Sequence, residues 1–217
     1  MPKIETGKRY AIIVGVTEYE DEQFAPLKYA KNDAIRLATF LVTHGGFDQQ
    51  RVCLLLNAIT DSDSLPVACA IPPTRANLLE RLNYLTRALE AEDLILFYFA
   101  GHGAEASKNP YLLTADTKME VLQETAIRVT DLNDELGKSK ARCILRIFDA
   151  CRSPFGTGRG PLGRMTDGLQ AAMMKSATGW ASFSSCSSGG VAHESGEFEH
   201  GVFTYYLCEG LEGKAAN

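Results

Sequence analysis

A chain of 217 residues is long enough to enclose one sizeable core, and nothing in its composition forces a second domain. Basic residues number 22 against 27 acidic ones, a formal charge of −5, so nonspecific nucleic-acid binding has no electrostatic footprint. No apolar run approaches a membrane span, the first residues lack a signal-peptide pattern, and six cysteines without CxxC spacing suit reduced thiols better than a disulfide framework or a zinc site; a cytoplasmic protein is expected.

Short apolar runs alternate with segments of helical period, the pattern of a parallel sheet covered by helices. Residues 10–16, YAIIVGV, read as the first strand. Ala30, Ala34, Leu37, Ala38 and Leu41 then recur at three- and four-residue steps, one apolar helix face stopped by Gly45-Gly46. Residues 51–56, RVCLLL, read as the second strand. Thr74 is a candidate N-cap for a helix carrying Leu78, Leu82, Leu85 and Leu89. Residues 94–99, LILFYF, form the expected third strand, followed by a small extended piece around 111–113 and a short helix from near Thr130 to Gly137. The fourth strand is 143–148, CILRIF, and such continuous apolar runs suit strands buried on both faces. Residues 152–179 hold six glycines and two prolines and read as a long flexible connection. A fifth strand at 180–185 and a last helix using Val202, Phe203, Tyr206, Leu207 and Leu211 complete one α/β domain without internal repeats.

Two of these strands run out into reactive side chains. The third leads into Ala100-Gly101-His102-Gly103, and the fourth into Asp149-Ala150-Cys151-Arg152. Taken alone, Cys151 is one more small buried hydrophobe and His102 a satisfied loop histidine. In an open α/β sheet, however, the carboxyl ends of neighbouring strands share the rim where ligands bind, so His102 and Cys151 should face each other. A thiol is only partly ionised at neutral pH, and a nearby imidazole can take its proton and later protonate a leaving amine. Gly103, having no side chain, lets its N–H approach a substrate carbonyl, and with the Cys151 N–H it would make an oxyanion hole. His44 reads as solvated near a helix end, and His193 and His200 are alternative bases only if the sheet reading fails. Ser184 and Ser185, near the end of the fifth strand, either line the substrate site or serve only the sheet.

FYFAGHG followed roughly 50 residues later by DACRS resembles the caspase-type cysteine peptidases, family C14. The resemblance extends to YAIIVGVTEY, LKYAKNDA and HESGEFEHGVFTYYL, and so covers nearly the whole chain. It implies a caspase-like (caspase-hemoglobinase) three-layer αβα sandwich with a mostly parallel central sheet. Within that, 1–151 is the large-subunit-like part with His102 and Cys151, 152–179 the connection, and 180–217 a partial small-subunit-like part. In motif the chain is most similar to metacaspases and their bacterial relatives, the orthocaspases. Where caspases carry Gln before Ala-Cys, this chain has Asp149, and Asp33 stands in the Asn32-Asp33-Ala34 turn. Both match acidic positions of metacaspases, whose first pockets take Arg or Lys. Two converging carboxylates would hold a guanidinium or ammonium group and repel an acidic residue. The plainer alternative is that Asp33 caps a helix and Asp149 ends a strand.

The resemblance therefore implies an endopeptidase cutting after Arg or Lys, with Cys151 as nucleophile, His102 as base and acid, and a regulated effector or signalling role on protein or peptide substrates. The alternative is a caspase-like interaction module held off or controlled by a partner. The family also implies another helix and an edge strand after Leu211, so a regulatory partner or a further C-terminal domain is expected, with no nucleic acid and no membrane. Many metacaspases need calcium, which binds clustered hard oxygen ligands. The connection offers Asp167, while Glu194, Glu197 and Glu199 read as a solvated acidic loop, so calcium stays open as a cofactor and no metal ligand is assigned.

Overall fold

The computed structural model describes residues 7–68, 70–152, 167–174, 178–185 and 192–214, with backbone alone at 151, 152, 167–169 and 172. From Ala11 onward every residue of β1 (Arg9–Gly15) is buried, so both of its faces are covered and apolar residues occupy consecutive positions. In chain order there follow α1 (Ala30–Thr43), β2 (Val52–Leu56), β3 (Ala70–Ile71), α2 (Arg75–Ala88), β4 (Leu94–Ala106), β5 (Asn109–Leu112), α3 (Leu122–Thr125) and β6 (Ile127–Arg128). The second half holds α4 (Val129–Gly137), β7 (Cys143–Arg152), α5 (Asp167–Met174), β8 (Trp180–Ser184), β9 (Glu194–Ser195), β10 (His200–Gly201) and α6 (Val202–Leu211). The capping expectation for Thr74 holds, its hydroxyl accepting from Asn77 N at 3.3 Å. Gly46, at φ +72°, turns the chain out of α1.

Six strands run parallel in the order β3–β2–β1–β4–β7–β8. Side chains alternate across this sheet, and each face has its own core. Leu78 and Leu82 of α2, Leu132 and Leu136 of α4 and Met173 of α5 pack with Phe97, Phe99 and Phe148 on one face. On the other, Leu37 and Leu41 of α1 and Cys208 of α6 pack with Leu96, Tyr98 and Ile147. Each fully buried leucine contributes about 1.5–3 kcal/mol, which is why the helices lie flat on the sheet. The result is the expected three-layer αβα sandwich.

The structure departs from the sequence pattern where the apolar runs end. β4 continues to Ala106 and β7 to Arg152, so His102 and Cys151 lie inside strands and not on loops beyond them. The cause is backbone pairing. β1 stops at Gly15, but β5 folds back antiparallel and takes over that edge of β4 from Gly103 to Ala106, while β7 stays in register on the other edge through Gly103↔Arg152. β6 extends this small antiparallel wing. The 152–179 connection contains a helix, α5, that its glycine content conceals, and its residues 153–166 and 175–177 lie outside the described set. Among the described residues, no helix is long and apolar enough to cross a membrane.

Candidate active site

The parallel register pairs His102 with Cys151 and, two residues earlier, Ala100 with Asp149. Partners in a parallel ladder point to the same face, and Tyr98, Ala100 and Ile147 belong to the α1–α6 core, so His102 and Asp149 both project toward that layer. Cys151 is placed by its backbone. His102 is 4% exposed. Its backbone N–H donates to Tyr19 Oη at 2.8 Å, and the Tyr19 ring stacks on the imidazole with centroids 5.0 Å apart. A side chain at Gly101 would begin 2.8 Å from the Phe99 ring and 3.4 Å from Tyr19 Oη, so glycine is what lets β4 pass beneath Tyr19.

The other end of the imidazole fixes its chemistry. Nε2 lies 2.7 Å from the Ala25 carbonyl, which can only accept, so Nε2 carries the proton and Nδ1 is the basic nitrogen of the neutral ring. Burial lowers the His102 pKa, and the Ala25 carbonyl opposes that shift. The neutral base is thus the favoured form near pH 7.

Asp33, in the first turn of α1, and Asp149 converge. Asp33 is 3% exposed and accepts from His200 Nδ1 at 2.7 Å and from Gly201 N at 3.0 and 3.1 Å. Asp149 Oδ2 accepts from Thr204 Oγ1 at 2.7 Å. Because Thr204 spends its one proton there, Tyr98 Oη must donate to Thr204 Oγ1 across their 2.7 Å contact. A Cβ at Gly201 would sit 2.8 Å from Oδ2 of both acids, which shows how closely they meet. Burial pushes Asp33 up to about 6, His200 holds it down, and the nearby Asp149 charge pushes it up further. Asp149 is likewise raised by burial, against the hydroxyls of Thr204 and Ser185. Two buried acids held above their ordinary range are a site short of a cation.

These acids line a cavity of about 20 Å³ together with Leu27, His193, Glu194 and Gly201. That is room for about one water molecule. Glu194 is the residue the sequence reading misses. Its carboxylate accepts from Lys28 N at 3.0 Å and Tyr29 N at 2.8 Å, so it is tethered at the entry to α1 and not merely solvated. Its charge also acts on both His102 and Asp149. His200, named from the sequence only as an alternative base, is the donor to Asp33. Only the fold makes these pairings, since more than 160 residues separate the partners.

The remaining expected residues divide. Ser185 N donates to Phe148 O at 2.9 Å, putting Ser185 beside Asp149. Ser184 pairs with Phe148 and shares its face, turned toward α4 and away from the acids. Gly103 follows His102 within β4, flanked by Arg152 on β7 and Leu112 on β5. Glu197 and Glu199 are exposed, the side chain of Asp167 is not described, and among the described residues no group of three or more His, Cys, Asp or Glu side chains is arranged to hold a metal ion.

A parallel sheet between two helical layers, with a histidine and a cysteine in register at its carboxyl rim, defines a caspase-type domain. The family model described as the caspase domain, peptidase C14, matches residues 8–217, and the chain belongs to that family. It is 26% identical over 156 residues to metacaspase-1 of Ajellomyces capsulatus, covering 68% of this chain and 41% of the relative. Metacaspase-1 of Emericella nidulans is 28% identical over 159 residues, covering 68% and 36%. The chain thus spans less than half the length of these curated relatives. Among solved structures, the crystal structure of caspase-1 from Spodoptera frugiperda aligns with a TM-score of 0.52 over 96% of this chain and 70% of that one, at 14% identity, a likeness of fold.

Proposed function

We propose that this domain is a cysteine endopeptidase that cuts after Arg, and less readily after Lys, with Cys151 as nucleophile and His102 as its base. The observation that carries the reading is the register His102↔Cys151 with two buried carboxylates converging beside it. His102 Nδ1 takes the Cys151 thiol proton, and the thiolate adds to the scissile carbonyl carbon. The developing oxyanion is held by the N–H groups of Gly103 and Cys151. The imidazolium returns its proton to the leaving amine, and a water, deprotonated by the same imidazole, then releases the acyl group from sulfur.

Asp33 and Asp149 receive the guanidinium of the residue before the cut, with Glu194 at the pocket mouth. Carboxylates arriving from two elements suit the planar fork of Arg better than the point charge of Lys. A cavity of about 20 Å³ cannot admit that side chain, so β9 and β10, which carry Glu194, His200 and Gly201, move to open it. The closed pocket favours an enzyme held off until substrate or a partner opens it. A regulatory partner adding a strand to the outer edge of β8, which pairs only with β7 among the described strands, suits that reading.

The test is cleavage of fluorogenic peptides with Arg, Lys or Asp before the reporter, with and without calcium. Arg peptides are cut, Asp peptides are not, and Cys151→Ala or His102→Ala abolishes turnover while circular dichroism stays native. Preference for Asp, or full activity in Cys151→Ala, overturns the assignment.

A further inference from the structure

The described residues enclose a second concave site at the opposite, amino-terminal end of the sheet. A groove of about 320 Å³ lies between Tyr10 at the start of β1, Arg51 at the entry to β2, and Arg81 and Tyr84 on α2. That volume lies within the range of small-molecule pockets. Cys53, Ile71 and Leu85, all on the α2 side of the sheet, give it an apolar lining. Its only charged lining residues are Arg51 and Arg81, in a chain whose formal charge is −5. A concave surface lined by one sign of charge concentrates the opposite sign.

Arg81 supplies the sharper observation. Its Nε is screened from solvent and meets no hydrogen-bond acceptor among the described residues. A desolvated N–H without an acceptor is destabilising, and a turn of the Arg81 side chain toward an acceptor in the groove removes that cost. Arg51 lies over the Tyr10 ring, 5.8 Å from its centroid, and its contact to Asp48 is a long 3.9 Å at the exposed margin. Guanidinium donors form planar forks that match carboxylate and phosphate oxygens. Tyr10 and Tyr84 add two rings, one of them, Tyr84, 66% exposed and so available to a ligand.

We propose that this groove binds a small anion that joins a carboxylate or phosphate to a flat ring, directly or through a sugar, with Arg81 and Arg51 holding the anionic group and Tyr10 and Tyr84 packing on the ring. The site is independent of the proteolytic reading. It lies at the end of the sheet where β1 and β2 begin, whereas His102 and Cys151 lie at the end where β4 and β7 finish, so an occupant does not compete with substrate.

Titration calorimetry on the whole chain tests this with four probes: benzoate, adenosine monophosphate, inorganic phosphate and the uncharged isostere benzamide. At least one ring-bearing anion is expected to saturate a single site, and benzamide is not. Benzoate and the nucleotide separate a ring carboxylate from a phosphate. Arg81→Ala, checked for native circular dichroism, should weaken binding at least tenfold, and Arg51→Ala carries the same test if Arg81→Ala does not fold. The half-buried Cys53 lines the groove, so bound ligand should slow its alkylation by iodoacetamide, read by peptide mapping. Absence of saturable binding by either ring anion, undiminished binding in the folded arginine variant, equal binding of benzamide, inorganic phosphate as tight as the nucleotide, or unprotected Cys53 would overturn the proposal.

Discussion

His102 and Asp33 show how one environment, burial at a strand rim, sets two titrations in opposite directions. Burial lowers the imidazole and raises the carboxylate to about 6. For the base, the acid limb of kcat should therefore lie below the ordinary histidine value of about 6.5. A profile of kcat against pH checks this, and a limb at or above 6.5 contradicts it. For Asp33 the sign runs the other way for stability. The folded state binds this proton more tightly than the unfolded chain does, so the group's contribution to stability is greatest below its unfolded value of 3.8 and is lost as pH rises through about 6. Asp33→Asn should therefore gain on the wild type as pH rises from 4 to 7, by an amount of order 2–3 kcal/mol in urea unfolding. The same variant should lose cleavage after Arg by about 1.5–3 kcal/mol, as expected for a charge-assisted hydrogen bond. The placement of His102, Cys151, Asp33 and Asp149 at one rim is legible in the sequence because each adjoins a recognisable strand or helix. The Nε2 tautomer is not legible, because Ala25 contributes only a backbone carbonyl, which any residue would carry.

At the scale of elements, the five long strands and helices α1, α2, α4 and α6 can be read from apolar periodicity, and the strands β3, β6, β9 and β10 cannot. Those four are two residues long, too short to show a period, and exist only through their partners. The β9–β10 pair matters most, because it brings Glu194 to the α1 entry and sets Gly201 between the acids. Gly201 has φ −62°, which any residue adopts, so the demand for glycine is one of space and not of conformation. Gly201→Ala places a methyl 2.8 Å from two carboxylate oxygens. It should destabilise by about 1–3 kcal/mol in chemical denaturation and remove cleavage after Arg, while Gly137→Ala, which would meet nothing closer than 3.8 Å, should leave activity unchanged. Arg146 shows how an apolar run can mislead in detail. It sits fully buried in the middle of β7, bonded to Asn133 of α4 and, at 2.6 Å, to Ser182 of β8, with its guanidinium 4.7 Å from the Trp180 ring centroid. A charge inside a strand that otherwise reads as core is accommodated because two other elements supply polar partners and an aromatic face.

For the whole molecule, the αβα layering was predictable because a sheet with apolar strands needs cover on both faces, and helices of matching stripe were present to give it. Location of the acidic pocket was predictable too, but its closure was not, since a gap of about 20 Å³ depends on how Leu27 lies against His193 and Gly201, distant from it in sequence. That closure has a consequence in time. If the shut form predominates, a ligand with an arginine side chain must wait for the rare open form, and its apparent affinity is reduced by the open fraction. A peptide arginal inhibitor should then show slow-onset progress curves, with an observed rate that levels off at high inhibitor concentration at the opening rate itself. Rates rising linearly with concentration would mean that the pocket stands open before the ligand arrives.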